Sequence, residues 1–534
     1  MNGAQALLKT LTDAGIDTCF ANPGTSEMQL VYEIGLNGGM RPVLCLQENV
    51  VTGAADGYWR MRGKPAVTLL HVGSGFANGI ANLHNAGRGH SGVLNIVGAN
   101  ASYHQPNYPE HEFISGTIKD VAGPVSHWCR EARNAADLAQ LGALAAAEAQ
   151  RESGHIATLI APTQCHWEPV NGSTAAAAVP PLLSVSEASI DEAVQMLQNG
   201  KKTLLLLGSR ALRDHNLEIA ARIAVHCKAS YIGETFPSRM SRGAGCIALT
   251  TIPYFLELGQ MTLAEYEQIL LFGANEPVST FAYQNKALSK VPPGCTLHCI
   301  ASPEHDITNA LIEIESKVGS SQETVPRVPA PTDNTPPVGE LSSAAIGRSI
   351  RLLMPDNAIM VDEGATAAMG VINETQFGPK HDYLYTVCGG AIGAGLPITL
   401  GASVACPERK IITLQADGSA LYTNQALWSL AREQSDAIII VLKNNAYAIL
   451  NVELARVSAE PPNAAMQAMM NLDQPTIDWV QLAQSMGVRA TSVSTAEGFH
   501  ESFAEAVNGK GPVLIEAVIA QDLSAAIAMM RAQE

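Results

Sequence analysis

The segments IITLQADGS (411–419) and AIIIVLKNN (437–445) decide the fold. Each opens with a short apolar run, and a helical stretch at about 421–433 separates them. An apolar run without polar alternation reads as a strand buried on both faces, so the unit is strand, turn, helix, strand, loop in a parallel sheet. Parallel neighbours bring their carboxyl ends to one edge. Asp417 and Asn444, 27 positions apart, therefore offer a carboxylate and an amide oxygen at that edge. With a loop carbonyl and phosphate oxygens, such donors suit a hard cation such as Mg²⁺. Gly418 and Ser419 open the following helix, where N–H groups and the positive dipole end attract phosphate.

The same texture extends outward in PVLCL (42–46), AVTLL (66–70), TLLLLG (203–208), QILLFG (268–273) and AIMVD (358–362). The expected fold class is α/β, with three domains, each a mostly parallel sheet flanked by helices. Stretches rich in Pro, Ala, Ser or Thr at about 168–186 and 320–340 divide the 534 residues into domains 1–170, 185–322 and 340–534. Hydrophobic residues at 47% against charged residues at 16% give each domain a sizeable core. The net charge of −17 argues against nucleic acid or an anionic membrane as a partner. No run of about 18 apolar residues predicts a membrane-spanning helix. The N-terminal stretch reads as an amphipathic helix with Leu7, Leu8 and Leu11 on one face, not as a signal peptide. Ten cysteines without a C-x-x-C pair read as reduced thiols, and the protein is expected in the cytoplasm.

In open α/β sheets ligands gather beyond the carboxyl ends of the strands. The first block places there Asn22-Pro23-Gly24-Thr25-Ser26-Glu27, Glu48 ahead of the helix NVVTGAADGYWRMRG, and His71 ahead of a glycine-rich helix start. Imidazole titrates near neutrality, so His71 is a candidate proton donor and acceptor, and His111 in the polar loop 102–112 is a second.

Asp-Gly-Ser followed after 27 residues by Asn, across one helix and one buried strand, resembles the thiamin diphosphate (ThDP) binding motif. Ala416 stands where the motif has its first glycine. The resemblance extends over the whole chain, to the superfamily of ThDP-dependent 2-oxo acid decarboxylases and acetohydroxyacid synthases. It implies ThDP and Mg²⁺ as cofactors, with Asp417, Asn444 and the carbonyl of Ala446 as metal ligands. Gly418, Ser419, Tyr447, Ala365 and Thr366 would be further cofactor contacts. Glu48 with Ala55-Asp56-Gly57-Tyr58 resembles the stretch holding the family's indispensable glutamate, so Glu48 would bond the aminopyrimidine and drive its activating tautomer. Ile392, 25 residues before Asp417, matches the aliphatic wedge that bends the cofactor, and glycines such as Gly390 let the backbone approach it.

The first block is most similar to the benzoylformate decarboxylase branch, which has a serine in place of Thr25 and a histidine at the position of His71. Thr25 and His71 would then bind substrate. Ile449, Leu450 and Glu453 begin the helix that lines the substrate channel in the family, with leucine at position 450 as in that branch. Glu453 departs from its aromatic residue, and the middle-domain stretch 273–286 lacks the branch's further histidine. The middle block has no G-x-G-x-x-G, so NAD is not expected, and the resemblance to the decarboxylases implies a structural middle domain, so FAD is not expected either. The resemblance implies a homodimer at minimum and usually a homotetramer. The expected reaction is non-oxidative decarboxylation of a 2-oxo acid to an aldehyde and CO₂. The alternatives are an acetolactate synthase-like carboligase and a flavin-dependent oxidase.

Overall fold

The computed structural model describes residues 1–104, 113, 115–457 and 460–520. Three mostly parallel sheets flanked by helices make up the chain. The first contains β1 (Thr18–Asn22), β2 (Arg41–Leu44), β3 (Ala66–Leu70), β4 (Val93–Ala99), β5 (Trp128–Glu131) and β6 (Ile156–Pro162), in the order β2-β1-β3-β4-β6-β5. The second contains β7 (Thr203–Leu207), β8 (Ser230–Gly233), β10 (Gln268–Phe272) and β11 (Thr296–Ala301), in the order β11-β10-β7-β8. The third is built from β12 (Ile359–Glu363), β13 (His381–Tyr385), β14 (Ile411–Ala416), β15 (Ala437–Lys443), β16 (Arg489–Val493) and β17 (Val513–Val518). Its order is β16-β17-β15-β14-β12-β13-β9, where β9 (Met240–Arg242) comes from the middle of the chain and pairs antiparallel with β13. No helix of the described residues is long and apolar enough to cross a membrane.

The apolar runs became the central strands because only those positions have helices on both faces. Every residue of β3, β4, β6, β7, β10, β12 and β15 is buried, whereas no residue of the edge strand β16 is. At the N-terminus the Asn2 side chain accepts from the Gln5 N–H at 2.8 Å, and the Gln5 side chain accepts from the Asn2 N–H at 3.1 Å. This capping box starts the helix Gly3–Asp13, which buries Leu7, Leu8 and Leu11. All ten cysteines are free thiols, and only Cys299 is exposed.

Two strand orders position the site. The chain leaves β1 for β2 on one side and reaches β3 on the other; it likewise leaves β12 for β13 and returns to β14 on the far side. Such reversals open a crevice beyond the strand ends. The first and third sheets are joined by the helix Glu48–Arg62 packing on the helix Gly395–Ala405. The approach is so close that a Cβ on Gly401 would lie 1.9 Å from the Ala54 carbonyl oxygen, and one on Gly57 2.3 Å from that of Ile398. Arg60, fully buried, forks onto Asp56 with two 2.7 Å bonds and also donates to the carbonyls of Ser238 and Tyr385, tying all three blocks together.

Gly401→Ala should therefore push the two helices apart. The expected cost is about 1–3 kcal/mol of stability, read as a lowered melting temperature; an unchanged melting curve would show that this contact relaxes without penalty.

Candidate active site

At the first sheet the register pairs Asn22 with Leu70, so the residues following β1 and β3 emerge side by side. One is the 3-10 turn Thr25–Glu27, and the other is His71 at the N-cap of the helix Val72–Asn78. Glu27 is fully buried; its Oε2 accepts the Gly24 N–H at 2.8 Å and lies 2.8 Å from His71 Nδ1. A carboxylate can only accept, so Nδ1 carries the hydrogen and Nε2, on the far side of the ring, is the basic nitrogen. The ring also rests on Gly24, where a Cβ would come within 2.3 Å of it. Val72 beside it has φ of +40°, a left-handed conformation unusual for a β-branched residue.

Glu48 is the first residue of its helix, half-buried, with Oε2 accepting from Asn78 Nδ2 at 3.2 Å. Gly75 lies between it and His71: a Cβ there would lie 3.2 Å from Glu48 Oε1 and 3.4 Å from His71 Cβ. Thr25 is exposed on the same turn as Glu27. His111 lies outside the described residues.

At the third sheet Ala416 pairs with Leu442, which puts Asp417 against the loop after β15. Asp417 is 3% exposed; its Oδ2 accepts the N–H groups of Asn444 (3.1 Å) and Asn445 (2.6 Å), and Oδ1 that of Gly418 (2.8 Å). Burial pushes this carboxyl above the usual carboxylate range, against the opposing pull of those three N–H groups. Asn444 Oδ1 bends back to the Ala446 N–H at 3.0 Å. Asn445, at φ +56°, turns the loop, and Tyr447 packs where a Gly418 Cβ would stand, 2.5 Å from its ring. Among the described residues no three His, Cys, Asp or Glu side chains could hold a metal together. The donors this edge offers, one carboxylate, an amide oxygen and a loop carbonyl, are of the kind Mg²⁺ accepts when ligand oxygens complete the set. A buried carboxylate with a raised pKa is the group such a cation would neutralise.

One expectation needs correction. The helix after Asp417 is a single turn, Asp417–Ala420, followed by a second piece, Ala426–Arg432, in place of one helix over about 421–433. Four residues sum little dipole, and the Gly418 N–H is already spent on Asp417, so phosphate attraction there rests on local N–H groups.

Glu363 ends β12 fully buried. Its Oε1 accepts from Gly393 (2.6 Å) and Ala394 (3.1 Å), and its Oε2 from Gly395 (2.7 Å) and Gln415 Nε2 (2.9 Å). Glu363 therefore faces inward and fixes the turn that carries Ile392, whereas Ala365, at φ +49°, and Thr366 begin a 3-10 turn against β14 and the helix Ala448–Val457. Asn85 holds that turn from the first block, donating to the Ala391 carbonyl at 2.7 Å, and Asn82 donates to Gly393 at 3.1 Å. Gly390, at φ +82°, is exposed with open space where a Cβ would be. Ser419 is buried and accepts from Gln415 at 2.7 Å. Ile449 is half-buried and Leu450 44% exposed, while Glu453 is turned to the middle block, 3.3 Å from both Tyr283 Oη and Arg456 Nε.

Sequence reading named Glu27 only as part of a turn and missed the roles of Gln415, Asn82 and Asn85. Their signal is a polar residue at a strand end or on a buried helix face, which needs the register to be interpreted.

Two family descriptions match: Thiamine pyrophosphate enzyme, N-terminal TPP binding domain, over residues 1–122, and Thiamine pyrophosphate enzyme, C-terminal TPP binding domain, over 365–517. A Mycobacterium tuberculosis protein named "Putative acetolactate synthase large subunit IlvX" is 41% identical over 97% of this chain and 99% of its own. Benzoylformate decarboxylase of Pseudomonas aeruginosa is 26% identical over 94% of this chain and 96% of its own. The solved Rhodococcus jostii RHA1 thiamine diphosphate-dependent 4-hydroxybenzoylformate decarboxylase superposes with a TM-score of 0.83 over 98% of this chain and 100% of that one, at 24% identity, and so shares its fold. The chain belongs to the thiamine pyrophosphate enzymes.

Asp417→Ala is expected to lose ThDP and Mg²⁺ together, since ligand removal and cofactor loss are linked. Calorimetric titration reads this directly, and a variant that still binds both would remove Asp417 from the metal site.

Proposed function

We propose that the protein is a ThDP- and Mg²⁺-dependent non-oxidative decarboxylase of a 2-oxo acid of the benzoylformate kind, releasing an aldehyde and CO₂. The observation that carries this reading is the Glu27–His71 pair beside Glu48 at the edge of the first sheet. When bound, the cofactor supplies the electron sink for the pair of electrons that CO₂ leaves behind. Asp417, Asn444 and the Ala446 carbonyl would hold the cation, and Ala365, Thr366, Gly418, Ser419 and Tyr447 the diphosphate end. Ile392 and Gly390 would shape the cofactor's bend. Glu48 would hold the pyrimidine end of the cofactor through its carboxylate, from which a proton can be given or taken. His71, oriented through Nδ1, delivers and removes a proton at the substrate-derived atoms through Nε2. That delivery is what ends the reaction in an aldehyde. The Thr25 hydroxyl binds the substrate carboxylate, Ile449 and Leu450 give an apolar wall, and His111 is a second acid/base.

The first and third sheets carry the two halves of this constellation, and we assign their union to a homodimer, paired further into a tetramer, in the cytoplasm. Support comes from the helix Met28–Asn37, which exposes Met28, Val31, Tyr32 and Leu36 along one face next to the Thr25–Glu27 turn. A second reading, ligation of the substrate-derived acyl unit to another carbonyl compound, is favoured by the name of the 41% identical relative.

A panel of pyruvate, branched-chain 2-oxo acids and benzoylformate with added ThDP and Mg²⁺ tests the proposal. Stoichiometric aldehyde and CO₂ are expected; a hydroxyketone would transfer the assignment to ligation, and silence on every acid would reject the substrate class. Glu48→Gln should keep ThDP bound and lower turnover by about 10²-fold or more, so near-normal turnover would remove its proton role. His71→Ala should lower turnover by about 10²-fold with cofactor affinity unchanged; wild-type rates would move the proton work elsewhere.

A further inference from the structure

The helix Ala448–Val457 starts directly after the loop whose N–H groups bind Asp417, so it borders the cation edge of the third sheet. Its Glu453–Arg456 side meets the middle block in a cluster of charges that the reaction chemistry does not use. Arg456 donates from both terminal nitrogens to Glu257, at 2.6 and 2.9 Å, and its Nε lies 3.3 Å from Glu453. Lys286 completes the Glu257 carboxylate at 2.7 Å, and Tyr283 donates to Glu453 at 3.3 Å while its ring lies 4.4 Å from the Arg456 guanidinium. The side chains of Arg456 and Glu257 are only 8% and 9% exposed. Arg456 and Lys286 together hold the Glu257 carboxyl well down, at about 2.

We propose that this buried cluster is the middle domain's contribution to substrate binding: Arg456 is a positioning residue that fixes the helix carrying Ile449 and Leu450. The proposal rests on the reading that this helix lines the substrate pocket. Three features support it. The fork from guanidinium to carboxylate is directional, so it fixes the helix's rotation as well as its distance. The ring over the guanidinium excludes water from the pair, which keeps the attraction strong. Glu257 belongs to the helix Leu256–Leu263 of the middle block, so the hold comes from outside the third sheet. Glu453, one turn beyond Ile449 and Leu450 on the same face of the helix, is thereby committed to Tyr283 and Arg456, so the hold acts directly along the face that carries the two apolar residues.

The test uses the holoenzyme with Arg456→Met, Arg456→Lys and Glu257→Gln. Arg456→Met should raise KM for the accepted 2-oxo acid by about ten- to a hundredfold, because a small displacement of a pocket element costs that much. Its kcat should change by less than about threefold and its ThDP affinity not at all, since the proton-transfer groups sit on the first sheet. Hydrogen exchange should accelerate in 448–457 and not in β14 or β15. Arg456→Lys, which keeps the charge, should recover most of the KM. Glu257→Gln should give the same pattern at smaller size, and it carries the test if Arg456→Met does not fold. Unchanged exchange in 448–457, unchanged KM, or a loss of ThDP affinity in step with KM would each overturn the proposal. If the wild type turns over no 2-oxo acid, the pocket reading fails, and the exchange arm still decides whether the cluster holds the helix.

Discussion

Four donors converge on the buried carboxylate of Glu363: the backbone N–H groups of Gly393, Ala394 and Gly395, and the Gln415 amide. One of the joints between the first sheet and the third is set by this contact, alongside the Arg60 bond to the Tyr385 carbonyl. It fixes the turn that carries Ile392 and starts the helix Gly395–Ala405, on which the Glu48 helix packs at glycine distance. A charge so buried is tolerated because each oxygen accepts two hydrogen bonds, and bonds to an ionised group are the strong ones. Burial nevertheless wins the balance, since the carboxyl is held above its ordinary range. The turn is thus rigid without glycine stiffness of its own, and glycine serves there to let the backbone and the Tyr422 side chain close in.

The two functional edges use the same device. A carboxylate at a strand end gathers backbone N–H groups: Glu27 takes that of Gly24, and Asp417 takes those of Gly418, Asn444 and Asn445. In the first case the remaining capacity orients an imidazole, and in the second it would serve the cation proposed for that edge. The strand reversals between β1 and β3 and between β12 and β14 open a crevice beside each carboxylate, and Glu27, itself fully buried, faces its crevice through His71.

The parallel sheets were legible because a double-sided burial leaves an unbroken apolar run, and Asp417 with Asn444 because one βαβ unit fixes their spacing. The strand β9 was not legible: three residues, MSR, carry no periodicity, and they pair with β13, about 140 positions away. The break between Asp417–Ala420 and Ala426–Arg432 was hidden because the intervening residues carry no proline and their conformation answers to Gly393, whose carbonyl accepts from Thr423 at 2.9 Å. Glu27 sat in a turn that glycine and proline already explained, and its partner was 44 residues distant. Glu453 was placed on the correct helix, but which side of that helix faced the middle block depended on Glu257, about 200 positions earlier.

Val72 stands in a left-handed conformation that glycine would adopt without strain. Such backbone costs about 1–3 kcal/mol and persists only where neighbours over-determine it. Here the neighbours are Leu70 in a fully buried strand, Gly73 under Phe113, and His71 bonded to Glu27. The chain thus sits away from its own stability optimum at a residue where relaxing the backbone would swing the imidazole, so selection for a more stable fold and selection for a fixed imidazole pull this position in opposite directions.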